Sequence, residues 1–348
     1  MTTKFQPVFE LTRGKIVEST HFGAAAVVDS HGQLLASFGD PGLVTYLRSS
    51  AKPFQALPFI EREGHKKFNL TEKETAILCA SHSGTEDHVS TVKAIQAKIG
   101  VGVDDLMCGF HAPMDEASSD VLKLNHEKPC AYHHNCSGKH TGMLAHAKLR
   151  DLPTADYVNT QHPIQKSILT AFSEMCNVEE DQVEIGIDGC SAPNFAIPLY
   201  NSALGYARLC DPYELAAERS AACNTITSAM MHFPDMVGGP NRFDTLLMLA
   251  GNNQIVSKGG AEGFQSVGIM PGALGKNSPG IGIAIKISDG DSEDRARSAL
   301  ALAILRGLGA LNEDQLTAMS RFGPEIDLVN FRKIKVGVGR TPRSIKFE

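Results

Sequence analysis

A serine and a lysine lie one helical turn apart in the segment RSSAKPFQ, where Ser49 precedes Lys52 by three positions. Side chains at positions i and i+3 of a helix are close enough to meet. A serine hydroxyl becomes a good nucleophile once a base removes its proton, and a lysine can be that base when burial or another cation lowers its pKa. Pro53 suits a first helical turn, whose N–H groups would stabilise the oxyanion of a tetrahedral intermediate. The spacing therefore allows an acyl-transfer centre.

The same segment also has a purely structural interpretation. Serine is common at helix N-caps, so Ser49 or Ser50 could simply cap the helix that follows. A second Ser-x-x-Lys match, Ser90 to Lys93, lies in an amphipathic helical pattern, so the motif alone is weak evidence. Pro58 argues against a long regular helix beyond the first turn.

Four further segments combine small, polar and reactive residues. They are CASHSG with Ser81, HHNCSGKHTG with Cys136 and Lys139, GIDGCSAPNFAIP with Asp188 and Cys190, and SKGGAEGF with Lys258. The histidine and cysteine content of the second suits zinc, although its spacing matches no common zinc finger and no phosphate-binding loop. Each segment alone could be a structural turn. Together with the Ser49 segment they favour a composite active site.

The elements that must position these residues follow from local patterns. Alternating apolar runs on either side of His31-Gly32 predict a β-hairpin. Thr71 and Glu74 form a capping box at the start of a helix, and a second, amphipathic helix is predicted to end at Gly100.

The order of the predicted elements is strands, then helices, then strands with a long helix. Helical patterns dominate about 70–250 apart from the strand VEIGID, and apolar strands return after about 250. We therefore expect a single domain over 1–348. Its sheet is drawn from about 7–60 and 250–345, with a mostly helical part between them.

Composition excludes several classes of function. The 348 residues carry a net charge of −6 with interspersed signs, which argues against a nucleic-acid-binding protein. No apolar run is long enough for a membrane span, and the N-terminus has no secretory pattern. The eight cysteines, several beside aliphatic residues, are typical of a reduced chain, so a cytoplasmic location is expected.

Six segments in this order resemble the asparaginase II family, the Rhizobium-etli-type or class 3 L-asparaginases. They are RSSAKPFQ, CASHSG, HNCSGKHTGM, GIDGCSAPNFAIPL, GGPNRFDT and SKGGAEG, and the resemblance covers roughly residues 7–340. It implies an α/β fold like that of the serine β-lactamases and glutaminases, an antiparallel sheet flanked by helices with an additional helical part.

The resemblance also implies an activity and a site. The activity is hydrolysis of L-asparagine to L-aspartate and ammonia, usually by a homodimer. The implied Ser–Lys pairs are Ser49 with Lys52 and Ser81 with Lys258, and the implied zinc ligands are Cys136, Lys139 and Cys190, completed by water. Arg48 and Asp188 are candidates for binding the carboxylate and the amine of the substrate. Ser49 is the expected nucleophile, with Ser81 as the alternative.

Three other functions fit the same residues. The chain could be an acyl-serine amidohydrolase of glutamine or a β-lactam. It could be a zinc-dependent small-molecule binding protein without turnover, in which the serines only cap helices. It could also be a zinc hydrolase that acts through a metal-bound hydroxide.

Overall fold

A computed structural model describes residues 4–342 of the chain, so the last four residues of the basic segment RKIKVGVGRTPRSIK (332–346) lie outside the described part. The described chain divides into two compact units. The sheet unit comprises 4–50, 196–211 and 246–342, and the helical unit comprises 51–195 and 212–245. The single-domain organisation expected from the sequence stays a prediction.

The sheet unit is built around an antiparallel sheet of eight strands. The strands found among residues 4–342, not all of which belong to this sheet, are β1 Gln6–Arg13, β2 Ile16–Asp29, β3 Leu34–Phe38, β4 Val44–Tyr46, β5 Glu184–Ile187, β6 Pro193–Pro198, β7 Ile255–Gly260, β8 Phe264–Ile269, β9 Ile281–Ile287, β10 Glu325–Val329 and β11 Lys335–Arg340. The order in the large sheet is β10–β11–β1–β2–β9–β8–β7, with β3 paired to β2, while β4 pairs with the end of β6. Both ends of the chain thus contribute to one sheet, as the pattern predicts.

Apolar runs explain why the middle of this sheet is buried on both faces. Every residue of β8 is buried, so neither face of that strand is left to solvent. Two helices of the same unit, α8 Leu199–Cys210 and α12 Ala296–Gly307, pack against the central strands. At Gly282 of β9, an added Cβ would overlap the carbonyl oxygen of Ala203 in α8. Only glycine lets this helix approach the sheet so closely.

The helical unit packs α1 Lys52–Glu61 against several other helices. The other helices of the chain are α2 Gly64–Lys67, α3 Glu72–Leu78, α4 Glu86–Ile99, α5 Glu116–Leu124, α6 Ser137–Leu149, α7 Pro163–Cys176, α9 Ala217–His232, α10 Pro234–Val237, α11 Phe243–Ala250 and α13 Glu313–Ala318. Aromatic rings join α1, α7 and β6 within the helical unit. The rings of Phe54 and Phe172 meet edge-on at 5.8 Å between centroids, and those of Phe172 and Phe195 lie 4.6 Å apart.

Several local predictions are confirmed. The Thr71 hydroxyl accepts the Glu74 N–H at 3.2 Å, and the Glu74 carboxylate accepts the Thr71 N–H at 2.7 Å, which completes the capping box. Helix α4 ends at Gly100 in the left-handed conformation. The hairpin of β2 and β3 turns at Gly32, whose φ is +85°.

The expectation of a serine cap before Pro53 is wrong. The residue that caps α1 is Ala51, without a side-chain hydrogen bond, because residues Arg48–Ala51 form a 3₁₀ turn that leads directly into the helix. Helix α1 also continues past Pro58 to Glu61. The Ser49 hydroxyl is therefore not used as the N-cap of this helix.

The structure is a mixed α/β protein with an antiparallel sheet flanked by helices and a largely helical second unit, which confirms the predicted fold class. Within the part of the chain that the structure describes, no helix has the length and apolar character needed to cross a bilayer.

Candidate active site

A buried lysine in the helical unit contacts one of the serines that the sequence singles out. Lys52, at the start of α1, is only 2% exposed. Its Nζ donates hydrogen bonds to the carbonyl oxygen of Ala80 at 2.6 Å and to Oγ of Ser81 at 2.9 Å. The two groups are therefore already at the distance that proton transfer between an amine and a hydroxyl requires.

Ser81 is held in place by the backbone on both sides of it. Helix α3 ends before Cys79, and the extended segment that follows donates from the Ser81 N–H to the Val237 oxygen at 2.9 Å. The next N–H, that of His82, donates to the Asn135 oxygen at 3.2 Å. These contacts are made by backbone groups, so they fix the position of Ser81 without forming a hydrogen bond to its hydroxyl.

A second buried centre of the helical unit contains two cysteines and a lysine. Cys136 is the N-cap residue of α6, and Lys139 lies in the first turn of this helix. Cys190 lies in the tight turn between β5 and β6, where Ser191 has a φ of +70°. The Lys139 Nζ donates to Sγ of Cys190 at 2.8 Å. Residues 51 positions apart along the chain are thus joined in one cluster.

The two centres are linked through the sulfur of Cys136. Its pKa is held well below the usual range of a thiol, first by a hydrogen bond with Cys190 and then by the neighbouring Lys52 and Lys139, although burial opposes the shift. Burial alone lowers the pKa of Lys139, but the Cys190 and Cys136 sulfurs raise it more, so the net shift is upward. Two lysines and two sulfurs therefore interact electrostatically away from water.

Three buried histidines surround this cluster in a neutral state. Burial, followed by the neighbouring His88 and Lys52, lowers the pKa of His82 well below its usual range. The pKa of His134 is lowered to about 4 by burial and by His111, and its Nδ1 accepts the Cys136 N–H at 3.0 Å. Burial and Lys139 lower the pKa of His140 to about 4, with Cys190 acting in the opposite direction. These rings supply hydrogen bonds rather than charge.

The candidate residues of the sheet unit lie near one another along β7 and the 3₁₀ turn. The Ser50 hydroxyl donates a hydrogen bond to the backbone carbonyl oxygen of the buried Lys258 in β7, at 2.6 Å. The Tyr206 hydroxyl donates to the backbone carbonyl oxygen of Ser50 at 2.8 Å. Ser49, which is half-buried, belongs to the turn that these contacts anchor. Arg48 has a left-handed φ of +51°, and its Nη1 lies 3.9 Å from Oε1 of Glu262.

The predicted site residues thus fall into two groups. Arg48, Ser49 and Lys258 belong to the sheet unit, whereas the rest belong to the helical unit, namely Lys52, Ser81, Cys136, Lys139, Asp188 and Cys190. Within the helical unit, the structure brings Lys52 to Ser81 and Lys139 to Cys190. The pairs Ser49–Lys52 and Ser81–Lys258 each join residues of different units and stay predictions.

Asp188 is half-buried, and its carboxylate accepts the Gly189 N–H at 2.6 Å. Its backbone closes the turn that carries Cys190, since the Asp188 N–H donates to the Ala192 oxygen at 3.0 Å. Its role as a substrate-binding group stays a prediction.

The side chains around Cys190 can provide three zinc ligands only if Lys139 is one of them. Among residues 4–342, no group of three His, Cys, Asp or Glu side chains could hold a metal ion. Cys136 and Cys190 supply two soft sulfur donors, and the Lys139 nitrogen is the third donor at the same place. The Lys139 ammonium would have to lose its proton, a change that the metal itself would drive.

Two residues of this region were not selected from the sequence. Tyr157 is fully buried, and its hydroxyl contacts Nδ1 of His140 at 2.6 Å. The density of histidines in HHNCSGKHTG is the only sequence signal for His140. No local pattern marks Tyr157.

A family model described as L-asparaginase II matches residues 9–340. No curated protein matches the chain.

Among solved structures, the chain is similar to Mglu in its native form with 4.3 M NaCl, at 14% identity and a TM-score of 0.44, covering 82% of this chain and 60% of that one. The chain therefore spans about 60% of the length of Mglu. It is also similar to a probable Bacillus subtilis glutaminase complexed with 6-diazo-5-oxo-L-norleucine, at 10% identity and a TM-score of 0.39, covering 83% of this chain and 84% of that one.

Proposed function

The chain belongs to the L-asparaginase II family, and on this premise we propose that it hydrolyses L-asparagine to L-aspartate and ammonia. Family membership supports an amidohydrolase, and the side-chain amide of asparagine is the substrate that we assign to it. The observation that carries the chemistry is the buried contact of 2.9 Å between Nζ of Lys52 and Oγ of Ser81. An amine in contact with a hydroxyl away from water is an arrangement that lets a proton pass between the two groups.

In the proposed reaction, Lys52 is the general base. It removes the proton of Ser49, its partner in the Ser-x-x-Lys motif, and the serine oxygen attacks the amide carbon of asparagine. Ser81, hydrogen-bonded to Lys52, relays a proton toward the departing nitrogen. Ammonia leaves, a β-aspartyl ester remains on the serine, and water cleaves this ester to release aspartate and restore the hydroxyl. Lys258 and Arg48 are proposed to support proton transfer and substrate binding from the sheet unit, and Asp188 to bind the α-amine.

The nucleophile is tested by covalent trapping. A diazoketone analogue of asparagine should alkylate one serine, and mass spectrometry of the digested protein identifies the modified peptide. We expect the label on Ser49, with Ser49→Ala abolishing both labelling and ammonia release. A label on Ser81 would reverse the two serine roles, and near-wild-type asparagine hydrolysis by both alanine variants would contradict serine catalysis altogether.

Zinc is proposed as an auxiliary group held by Cys136, Lys139 and Cys190. When bound, it would supply a Lewis-acidic cation in the neighbourhood of Lys52. Chelation and the Ser49→Ala variant separate the possible roles. Activity that is lost on chelation but barely changed in Ser49→Ala would favour zinc hydrolase chemistry, whereas the opposite result supports the proposal.

The remaining alternatives differ in substrate. Ammonia release from asparagine and from glutamine, and cleavage of a chromogenic β-lactam, should be compared on the same preparation. We expect asparagine to give the highest kcat/KM. Zinc-dependent binding of asparagine without ammonia release would instead favour a binding protein. We further propose a cytoplasmic homodimer, for which light scattering of the purified protein gives the mass.

A further inference from the structure

A hydrogen-bond relay leads from the backbone of the helical unit to the cysteine centre. The Tyr157 hydroxyl accepts the Met107 N–H at 2.9 Å and lies 2.6 Å from Nδ1 of His140. Tyr157 is fully buried and His140 has no exposed surface, so no solvent competes for these bonds.

The relay determines which ring nitrogen of His140 carries the proton. The Tyr157 oxygen already accepts one N–H, and among residues 4–342 its only other polar contact is Nδ1 of His140. Burial raises the pKa of the Tyr157 hydroxyl, so it keeps its proton and donates it to that nitrogen. Nδ1 is thus the acceptor, and Nε2 carries the N–H of the neutral ring.

The Nε2 atom of His140 is a buried donor whose hydrogen bond is not formed. Within the described chain, no acceptor meets it in hydrogen-bonding geometry. The Cys190 sulfur nevertheless acts on this ring, because it raises the pKa of His140 against the effect of burial. Because an unused N–H is costly inside a protein, its placement beside this sulfur calls for a role.

We propose that His140 is a positioning residue for the metal centre, whose Nε2–H donates to Cys190 when this sulfur is a metal-bound thiolate. Lys139 donates to the same sulfur at 2.8 Å. That donor is withdrawn once the Lys139 nitrogen itself binds the ion. The N–H of His140 replaces it and orients Cys190 from outside the ligand set. This inference rests on the zinc site of the proposed function.

The test uses Co²⁺ as the probe, because thiolate ligands give it a charge-transfer absorption that reports binding directly. The full-length protein is stripped of metal and titrated with Co²⁺. His140→Asn retains a polar group near Nδ1 for Tyr157 but lacks the Nε2 donor, whereas His140→Gln places an amide N–H near Nε2 and loses the Tyr157 contact. We expect His140→Asn to bind Co²⁺ about 10–100-fold more weakly. His140→Gln should recover much of this loss.

Tyr157→Phe provides an independent variant that leaves the histidine in place. It frees the ring to change tautomer, and we expect a smaller but measurable loss of Co²⁺ affinity. Thermal melting of each metal-free variant shows whether it is folded.

The inference is overturned if folded His140→Asn binds Co²⁺ as tightly as wild type, if His140→Asn and His140→Gln lose affinity equally, or if wild type gives no thiolate charge-transfer band. Ammonia release from asparagine is measured separately. A wild-type protein that binds Co²⁺ as expected but releases no ammonia would contradict the proposed function and leave the inference standing.

Discussion

Replacing Lys52 by methionine tests the central element of the site. Methionine has nearly the same length and stays compatible with the apolar surroundings of α1, but it cannot take a proton or donate to Ala80 and Ser81. A positioned general base contributes about 10²–10⁴-fold to the rate. At about 1.4 kcal/mol per factor of ten, we expect kcat/KM for asparagine to fall by an amount equivalent to about 3–5 kcal/mol.

The substitution also affects stability, and the two effects can be separated. The Ala80 carbonyl loses its buried donor at 2.6 Å, and an unsatisfied buried group costs about 1–3 kcal/mol. Removal of the lysine also takes away one of the two lysine neighbours that lower the pKa of Cys136. A moderately lowered melting temperature is therefore expected, while the protein stays folded at the assay temperature.

The assay couples ammonia release to oxidation of NADH by glutamate dehydrogenase, with thermal melts on the same samples. Lys66→Met is the matched control, because Lys66 lies in the same unit but is exposed and, among residues 4–342, paired only with Glu63. It should retain full activity. If folded Lys52→Met keeps kcat/KM within about tenfold of wild type, the assignment of Lys52 as base is wrong.

Three other predictions concern packing, acid stability and metal content. Gly282→Ala should lower the free energy of unfolding by about 1–3 kcal/mol in urea titrations, because its Cβ would overlap α8. Gly307→Ala, where an added Cβ meets nothing, should be neutral or stabilising by up to about 1 kcal/mol. Burial lowers the pKa of His146 to about 3, so only the unfolded chain takes up its proton as the pH falls below about 6.5. His146 should then contribute a loss of stability of roughly 1.4 kcal/mol per pH unit toward pH 4, and a folded His146→Leu variant that keeps the full wild-type slope would refute this. Cys190→Ser should lose most of its zinc in elemental analysis after dialysis, and unchanged zinc content would place the metal elsewhere.

Local structure could be predicted from the sequence wherever the determinants are neighbours along the chain. The Thr71 capping box, the end of α4 at Gly100 and the hairpin at Gly32 each depend on a few adjacent residues. The prediction that a serine caps α1 was wrong for a reason that is also local, but that the sequence pattern does not reveal. The left-handed conformation of Arg48 starts a 3₁₀ turn, which makes Ala51 the residue before the helix.

The site itself could be predicted only through the family resemblance. Cys136 and Cys190 are 54 positions apart, and no periodicity in the sequence requires them to meet. The contact between Lys52 and Ser81 joins residues 29 positions apart. Tyr157 could not be identified as a partner of His140, because a buried tyrosine has no local signature that distinguishes a relay from ordinary packing.

The strand order of the large sheet has a consequence for synthesis of the protein. Strands β1 and β2 lie side by side in the middle, yet their outer neighbours, β11 and β9, come from the last quarter of the chain. While a ribosome is still translating the intervening residues, the first hairpin has two open hydrogen-bonding edges and nothing to cover them. Such edges promote aggregation. Chains that stop before β9 should therefore accumulate as insoluble material or depend on chaperones.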